Sequence, residues 1–272
     1  MFALPIGRPA LMGILNVTPD SFSDGALYPS PKDAVEAAVQ MIEGGADLID
    51  VGGESTRPGA APISLEEEIM RVMPVLEQLS ARGIPFSIDT RKPEVARQAI
   101  QIGASVLNDV GGLRDESMLQ TILSSDCSVC IMHMQGEPQT MQANPVYKNV
   151  INEIKQWLLG QAESAQRAGV KKERLWLDPG IGFGKTVEHN VLILRNLEEL
   201  VSLGYPVLIG VSRKGFLGKI GSRGESLPVN ERVEASIAAQ CVAQMKGAKI
   251  IRAHDVKQAA IAINVIAAIA KG

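Results

Sequence analysis

The sequence predicts a single-domain (β/α)₈ barrel, a closed parallel sheet surrounded by helices. Eight short apolar runs recur along the 272 residues, and amphipathic stretches separate them. Barrels of this kind typically need about 250 residues, which fits the chain. No Pro- or Ser-rich linker divides the sequence, so we expect one domain over residues 1–272. An open, doubly wound sheet is the alternative, although it usually has fewer strands.

Each predicted strand is a short run rich in β-branched or apolar residues. In chain order the strands are Leu11–Asn16, Leu48–Val51, Phe86–Asp89, Val106–Asp109, Val129–His133, Leu175–Asp178, Val207–Val211 and Lys249–Ala253. Helical patterns cover Lys32–Glu43, Leu65–Ser80, Asn149–Ala168, Val187–Leu203, Glu231–Met245 and Val256–Ala270. Glycines such as Gly44 and Gly169 follow several of them, and glycine suits the left-handed residue that ends a helix.

The composition excludes several classes of protein. A hydrophobic fraction of 46% is too high for a disordered chain. The net charge of −3, without a long Lys/Arg run, disfavours a nucleic-acid partner. The most apolar stretch, Ala259–Ala270, is shorter than the roughly 18 residues that span a membrane. The N-terminus lacks the pattern of a signal peptide, so we expect a cytoplasmic protein without a membrane segment.

Cys127 and Cys130 form a C-x-x-C motif in a chain with three cysteines. Such a pair can be a redox centre or half of a zinc site. The surrounding run is typical of a buried strand, however, and residues three apart on a strand point to opposite faces. We therefore expect buried thiols rather than a functional pair.

Almost every predicted strand ends at, or runs into, polar side chains. They are Asn16, Asp89, Asn108, Asp109, His133, Asp178, Ser212, Arg213, Lys214, Arg252 and His254. In a parallel barrel the C-terminal strand ends form the rim that holds the active site. Asp109 and Asp178 could instead cap the following helices, but capping would explain these two alone. The pattern therefore predicts a ligand site at this rim.

The rim residues divide into two chemical groups. Asp89, Asn108 and Asp178 are acceptors, Asn108 being also a donor, and they suit a flat heterocycle rich in N–H groups, such as a 2-amino-4-oxo pterin or a guanine. The second group is basic and suits a phosphate or diphosphate; it comprises Arg57, Lys214, Arg252 and His254. Lys214 would also balance the carboxylate charge. We expect Arg213 and Arg223 to be solvated or structural.

Two loops near the rim are longer than ordinary turns. Asn16–Gly25 is rich in turn-forming residues, and Gly52–Gly59 is bounded by glycines that would let it move as a lid. A third segment, Asp178–Thr186, matches the end of a phosphate-binding P-loop. The first glycine of that motif is replaced by Pro179, which has no N–H to offer. We expect this third loop to shape a flat pocket, with Phe183 as a wall.

Eight motifs between residues 12 and 256 resemble the signatures of the dihydropteroate synthase family. They are Met12–Gly25, Asp50–Gly59, Ser87–Arg91, Asn108–Gly112, Met132–Gly136, Asp178–Lys185, Ser212–Lys214 and Arg252–Val256. Each motif alone is weakly specific, but eight in family order are highly specific. The sequence departs from the family pattern at Ala26, where the family often has a second glycine after Ser-Asp-Gly. This difference affects only a detail of the loop.

The resemblance implies an activity and its ligands. It implies a TIM barrel that condenses p-aminobenzoate with 6-hydroxymethyl-7,8-dihydropterin diphosphate, giving 7,8-dihydropteroate and diphosphate in folate biosynthesis. It also implies Mg²⁺, competitive inhibition by sulfonamides and a homodimer.

The resemblance also implies a role for individual residues. Asn16 would bind Mg²⁺ and, with Arg252 and His254, the diphosphate. The pterin would be held by Asp89, Asn108, Asp178 and Lys214, with Met132 as an apolar wall. The p-aminobenzoate site would comprise Thr56, Arg57, Pro58, Phe183 and Ser212. The expected catalytic residues are Asp89, Asp178, Lys214, Arg252 and His254. His133 would point away from the site.

Two other functions are open alternatives. A corrinoid methyltransferase-type domain would share the Asp/Asn pocket but would use methyltetrahydrofolate and a cobalamin partner. A non-catalytic paralogue would bind pterin without turnover. Arg252 and His254 argue against the first alternative, and the intact motifs argue against the second.

The two C-terminal helices predict a subunit interface. Glu231–Met245 and Val256–Ala270 carry Ala, Ile and Val on more than one side. A helix on the outside of a barrel should show a polar face to solvent. We therefore expect a homodimer that forms through these helices.

Overall fold

The computed structural model describes residues 1–18, 30–56, 59–222 and 224–270. Its eight strands are β1 (Ala10–Asn16), β2 (Leu48–Gly52), β3 (Phe86–Asp89), β4 (Val106–Asp109), β5 (Ser128–Met132), β6 (Leu175–Asp178), β7 (Leu208–Gly210) and β8 (Ile250–Ala253). All paired strands are parallel, in the order β6-β5-β4-β3-β2-β1-β8-β7. A parallel bridge between Leu177 and Val207 joins β6 to the β7 side of the sheet. The barrel predicted from the sequence is confirmed.

The helices lie between the strands. They are α1 (Pro31–Glu43), α2 (Leu65–Ala81), α3 (Pro93–Ile102), α4 (Glu116–Leu123), α5 (Val150–Ala168), α6 (Val187–Arg195), α7 (Leu197–Val201), α8 (Gly215–Gly221), α9 (Val233–Met245) and α10 (Val256–Ile269). The single helix predicted over Val187–Leu203 is wrong, because the helix ends at Asn196. The side chain of Asn196 donates to the carbonyl oxygen of Leu192 at 2.8 Å, and a new helix starts after it.

Inward-facing side chains change from apolar to polar along the strands. Because strand side chains alternate with a period of two, every second residue faces the barrel interior. The inward pairs on four strands are Leu48 and Asp50, Val106 and Asn108, Trp176 and Asp178, and Ile250 and Arg252. The apolar members fill the lower part of the barrel. The polar members therefore lie above this apolar layer, toward the C-terminal rim where the site was predicted.

Two of the cysteines are buried, whereas the last two helices expose apolar side chains. Cys127 and Cys130 are buried free thiols, as predicted. No helix within the described ranges is both long and apolar enough to cross a bilayer. Large apolar side chains are exposed on the last two helices, among them Met245 and Ile269, each 75% exposed. These two helices are therefore not wholly buried against the barrel.

Candidate functional site

A cavity of about 1010 Å³ opens at the C-terminal rim of the barrel. Predicted site residues in its wall are Asn16, Thr56, Asp89, Phe183, Ser212, Lys214, Arg252 and His254. Three further predicted residues, Asn108, Met132 and Asp178, are buried and stand outside the cavity wall. Arg57 and Pro58 lie outside the described residues. The barrel thus brings most of the predicted residues to one rim.

Arg252 crosses the barrel interior to two carboxylates. Its Nε donates to Asp50 Oδ2 at 2.6 Å, and its Nη2 donates to Asp89 Oδ2 at 2.8 Å. Burial raises the pKa of Asp89 to about 7, although the charge of Arg252 opposes the rise. Burial acts to lower the pKa of Arg252, but the two carboxylates outweigh it and raise that pKa. The guanidinium therefore stays charged inside the barrel.

Two buried oxygens, Asp89 Oδ1 and Asn108 Oδ1, have no hydrogen-bond partner within the described part of the chain. Asp89 and Asn108 pair in register on neighbouring strands. Asn108 Nδ2 donates to Asp50 Oδ2 at 3.0 Å. The sequence led us to expect that Asn108 could both donate and accept. In the structure its amide nitrogen donates to Asp50, and its amide oxygen is free to accept from a ligand. Since a buried polar group without a partner is costly, a ligand with N–H donors fits here.

Asp178 and Lys214 place an acid and a base in the same region. Burial raises the pKa of Asp178, while the charge of Lys214 lowers it in part. Asp178 Oδ1 accepts from the backbone N–H of Gly180 at 2.7 Å. Lys214 Nζ donates to the carbonyl oxygen of Ile181 and lies 4.7 Å from the centre of the Phe183 ring. Burial lowers the pKa of Lys214 to about 8, while the charge of Asp178 opposes the fall.

The capping alternative for the rim carboxylates is wrong. Asp109 accepts from the backbone N–H of Gly111 at 2.8 Å, and it closes a turn ahead of the next helix. That helix, α4, is capped by Asp115 instead. Asp178 likewise bonds within the turn that follows it, and α6 is capped by Thr186. Both carboxylates therefore belong to the rim turns.

The loop Asp178–Thr186 packs directly on the backbone that follows β5. Gly180 and Gly184 have left-handed φ angles of 65° and 61°. A Cβ atom on Gly180 would lie 1.8 Å from the carbonyl oxygen of His133, and one on Gly184 would lie 2.3 Å from that of Gln135. Glycine is therefore required for a close approach of two backbones. This agrees with the expectation that the loop shapes a pocket.

Lys185 is a buried cavity residue that the sequence reasoning did not select. Its Nζ lies 3.0 Å from His133 Nδ1 and donates to the carbonyl oxygen of Phe183 at 2.9 Å. Burial lowers the pKa of Lys185 to about 7 and that of His133 to about 3. His133 is therefore a neutral packing residue. The sequence signal for Lys185 is a lysine inside a glycine-rich motif.

Ser212 and His254 meet where β7 and β8 end. Ser212 Oγ accepts from the backbone N–H of His254 at 3.1 Å, and His254 Nδ1 also lies 3.1 Å from that oxygen. Arg213 pairs with Asp255 at 2.6 Å, as a structural residue would. Arg223 lies outside the described residues. Ser212 and His254 thus form one polar unit of the cavity wall.

Glu54 is a second cavity residue that the sequence reasoning missed. Its carboxylate pairs with Arg91 at 2.9 Å and with Lys92. Lys92 also pairs with Glu68, which is fully buried, at 2.5 Å. Glu54 Oε2 accepts from the backbone N–H of Ile63 at 3.4 Å. Glu54 therefore ties both ends of the loop after β2 to the turn after β3.

Asn16 ends β1 and lines the cavity. Among the residues that the structure describes, no group of three or more His, Cys, Asp or Glu side chains could hold a metal ion. The side-chain oxygen of Asn16 is a hard donor of the kind that Mg²⁺ prefers. Because Mg²⁺ usually keeps waters and takes phosphate oxygens of a substrate, one protein oxygen fits such an ion.

Comparisons with known proteins agree with this geometry. The family described as pterin binding enzyme matches residues 12–254. The dihydropteroate synthase of Escherichia coli strain K12 is 46% identical over 267 residues, which cover 98% of this chain and 93% of that protein.

Solved structures give the same result. A Yersinia pestis dihydropteroate synthase in a sulfonamide drug complex superposes with a TM-score of 0.94 at 42% identity, covering 100% of this chain and 98% of that one. A Burkholderia cenocepacia dihydropteroate synthase complexed with 7,8-dihydropteroate superposes with a TM-score of 0.88 at 41% identity, covering 99% and 94%. The barrel, the acceptor pocket beside a basic wall and these relatives agree: the chain belongs to the dihydropteroate synthase family of pterin-binding enzymes.

Proposed function

We propose that this chain, as a transferase of folate biosynthesis, joins p-aminobenzoate to 6-hydroxymethyl-7,8-dihydropterin diphosphate. The observation that carries the proposal is the pair of buried acceptors, Asp89 Oδ1 and Asn108 Oδ1, that lack partners in the described ranges. An amino-pterin brings N–H donors to these acceptors. Arg252 and His254 in the neighbouring wall suit the diphosphate.

The pterin is held by hydrogen bonds to Asp89, Asn108 and Asp178. Each buried polar group that the ligand satisfies avoids a cost of about 1–3 kcal/mol. Lys214 offsets the negative charge of the carboxylates. Met132 supplies an apolar wall, since it clusters with other buried apolar side chains and with Phe183.

The diphosphate is held by Arg252, His254 and Asn16. Arg252 uses Nε and Nη2 for Asp50 and Asp89, but a guanidinium has five N–H donors and others can reach an anion. Asn16 would hold Mg²⁺, which when bound supplies positive charge against the leaving diphosphate.

The p-aminobenzoate site comprises Thr56, Phe183 and Ser212, together with Arg57 and Pro58 outside the described residues. Sites for a single drug-sized ligand have volumes of about 300–1,000 Å³. The cavity of about 1010 Å³ lies at the upper end of this range.

Catalysis is electrostatic in this proposal. The C–O bond between the pterin methylene and the diphosphate breaks, and the pterin ring stabilises the positive charge that forms. Asp89 and Asp178 favour that cation because buried charges act strongly on charge that develops nearby. The amine of p-aminobenzoate then forms the new C–N bond and loses a proton, so no covalent nucleophile is needed. Enclosure of the site limits capture of the cation by water.

The assembly is proposed to be a homodimer. Exposed apolar side chains on α9 and α10 are Val242, Met245, Ile261, Val265 and Ile269. Clusters of this kind on a water-exposed surface mark interfaces.

We also propose a cytoplasmic location. The three cysteines are free, and reducing compartments keep thiols in the free, reduced form.

The test is diphosphate release by the purified protein with Mg²⁺. We expect release to require both the pterin diphosphate and p-aminobenzoate, to match dihydropteroate formation, and to be inhibited competitively by a sulfonamide. The variant Asp89→Ala, assayed beside the wild type, removes one of the two acceptors and should lose turnover. Methyl transfer from methyltetrahydrofolate, or pterin binding without turnover, would contradict the proposal and support one of the two alternatives.

A further inference from the structure

Asp50 is a carboxylate in the middle of β2 that the proposed chemistry does not use. The residue is 0% exposed. Its Oδ1 accepts from Ser87 Oγ at 2.6 Å. Its Oδ2 accepts from Asn108 Nδ2 at 3.0 Å and from Arg252 Nε at 2.6 Å. Both carboxylate oxygens are therefore engaged inside the barrel, one layer below the rim.

The contact with Asp50 sets the orientation of the Asn108 side chain. The oxygen and nitrogen ends of an amide have nearly the same shape, so the surrounding hydrogen bonds decide which end points where. With Nδ2 against Asp50, Asn108 turns Oδ1 to a place where the described residues provide no donor. The reverse orientation would bring the Asn108 oxygen against a carboxylate oxygen. Two acceptors without a proton between them repel, so the observed orientation is the stable one.

Arg252 completes the arrangement from the other side. Its guanidinium is always protonated and needs an acceptor at the position of Asp50 Oδ2. Through Nη2 the same guanidinium donates to Asp89 Oδ2. Asp89 Oδ1 is thereby left as the second acceptor without a partner in the described chain. Asp50 and Arg252 together leave two acceptors on neighbouring strands.

We propose that Asp50 is a positioning residue that decides the hydrogen-bond polarity of the pterin pocket. It holds Asn108 so that a ligand meets an acceptor, and the pocket thereby selects a heterocycle whose edge carries N–H donors. This inference rests on the proposed pterin-binding function. A lumazine, in which oxygen replaces the 2-amino group of the pterin, presents an acceptor in place of a donor and is rejected.

Two substitutions separate this role from simple burial. Asp50→Asn keeps one oxygen, which Arg252 Nε holds at the same position, so Asn108 keeps its orientation. Asp50→Leu removes that oxygen and frees Asn108 to reverse. Ser87→Ala is the matched control, because it weakens the same buried network and leaves Asp50 Oδ2 with both of its contacts.

The measurement is the ratio of the calorimetric affinities for 6-hydroxymethylpterin and 6-hydroxymethyl-lumazine. We expect Asp50→Leu to lower this ratio about 10- to 100-fold, as loss of a buried hydrogen-bond partner would. Asp50→Asn and Ser87→Ala should keep it within about tenfold of the wild type. An unchanged ratio in a folded Asp50→Leu variant, or a collapse of the ratio in Asp50→Asn, overturns the inference. If the wild type binds neither ligand, the proposed function fails instead.

A second measurement uses the wild-type protein, in case Asp50→Leu does not fold. The side-chain amide NMR signals of Asn108 are identified by their absence in Asn108→Asp. Because one amide hydrogen is bonded to a buried carboxylate, we expect slow exchange with solvent and no reversal when 6-hydroxymethylpterin is added. Exchange as fast as that of an exposed asparagine overturns the inference.

Discussion

Gly180→Ala tests whether the loop after β6 needs its close approach to β5. A Cβ atom at this position would lie 1.8 Å from the carbonyl oxygen of His133. Because that oxygen belongs to the backbone, the loop must retreat by roughly 1 Å or more. Gly180 also donates its N–H to Asp178 Oδ1 at 2.7 Å, so the retreat moves the hydrogen bond that holds this carboxylate. A misplacement of about 1 Å near the chemistry can reduce activity about 100-fold.

The expected result for Gly180→Ala is a loss of about 100-fold in kcat/KM, measured by diphosphate release. The left-handed φ of 65° adds strain for alanine. That strain should lower the free energy of unfolding by about 1–2 kcal/mol, measured by urea denaturation. The protein should therefore remain folded while its activity falls. Wild-type kcat/KM in the folded variant would refute the reasoning.

Gly160→Ala is the matched control. Gly160 lies inside α5, and apart from its chain neighbours and the backbone of its own helix, a Cβ atom there would have no heavy atom within 4 Å among the described residues. Alanine inside a helix is favoured over glycine by roughly 0.5–1 kcal/mol, so this variant should be slightly more stable. Its kcat/KM should equal that of the wild type. Equal losses of activity in both variants would show that the effect is not specific to the loop.

Three further predictions concern the pterin site and the assembly. Asp178→Ala should weaken pterin binding by about 10- to 100-fold in calorimetry, because the ligand loses a buried acceptor; an unchanged affinity would contradict the pocket assignment. Burial raises the pKa of Asp89 to about 7, and the ionised form is the acceptor, so pterin affinity should fall as the pH drops below about 7. Asp89→Asn should remove that pH dependence, and the same slope in both proteins would exclude Asp89 as its source. Ile261→Glu adds a charge to an exposed apolar position on α10 and should yield monomers in analytical ultracentrifugation, whereas a wild-type protein that is already monomeric would contradict the homodimer.

The strands and the rim could be predicted because their signals are local. Val106, Asn108 and their neighbours show a period of two, and the change from apolar to polar residues marks the upper end of the strand. β3, β4 and β6 match the predicted bounds. The bounds of less regular segments were harder to predict from the sequence, as the break between two helices at Asn196 illustrates. The backbone of Asn196 leaves the helical conformation, with φ −110° and ψ 26°, whereas the hydrophobic pattern continues past this residue.

The family and the residues at the rim could be predicted without a structure, since alternation and motif order are written along the chain. Strand order, closure of the sheet and the contacts among these residues depend on the tertiary fold. Arg252 and Asp50 are 202 positions apart in the chain, and the pairing of β1 with both β2 and β8 brings them to 2.6 Å. Lys185 and His133 come together through packing of one loop on the end of β5. Contacts between residues so far apart in the chain depend on strand order, register and loop packing, and no single segment of the sequence encodes these.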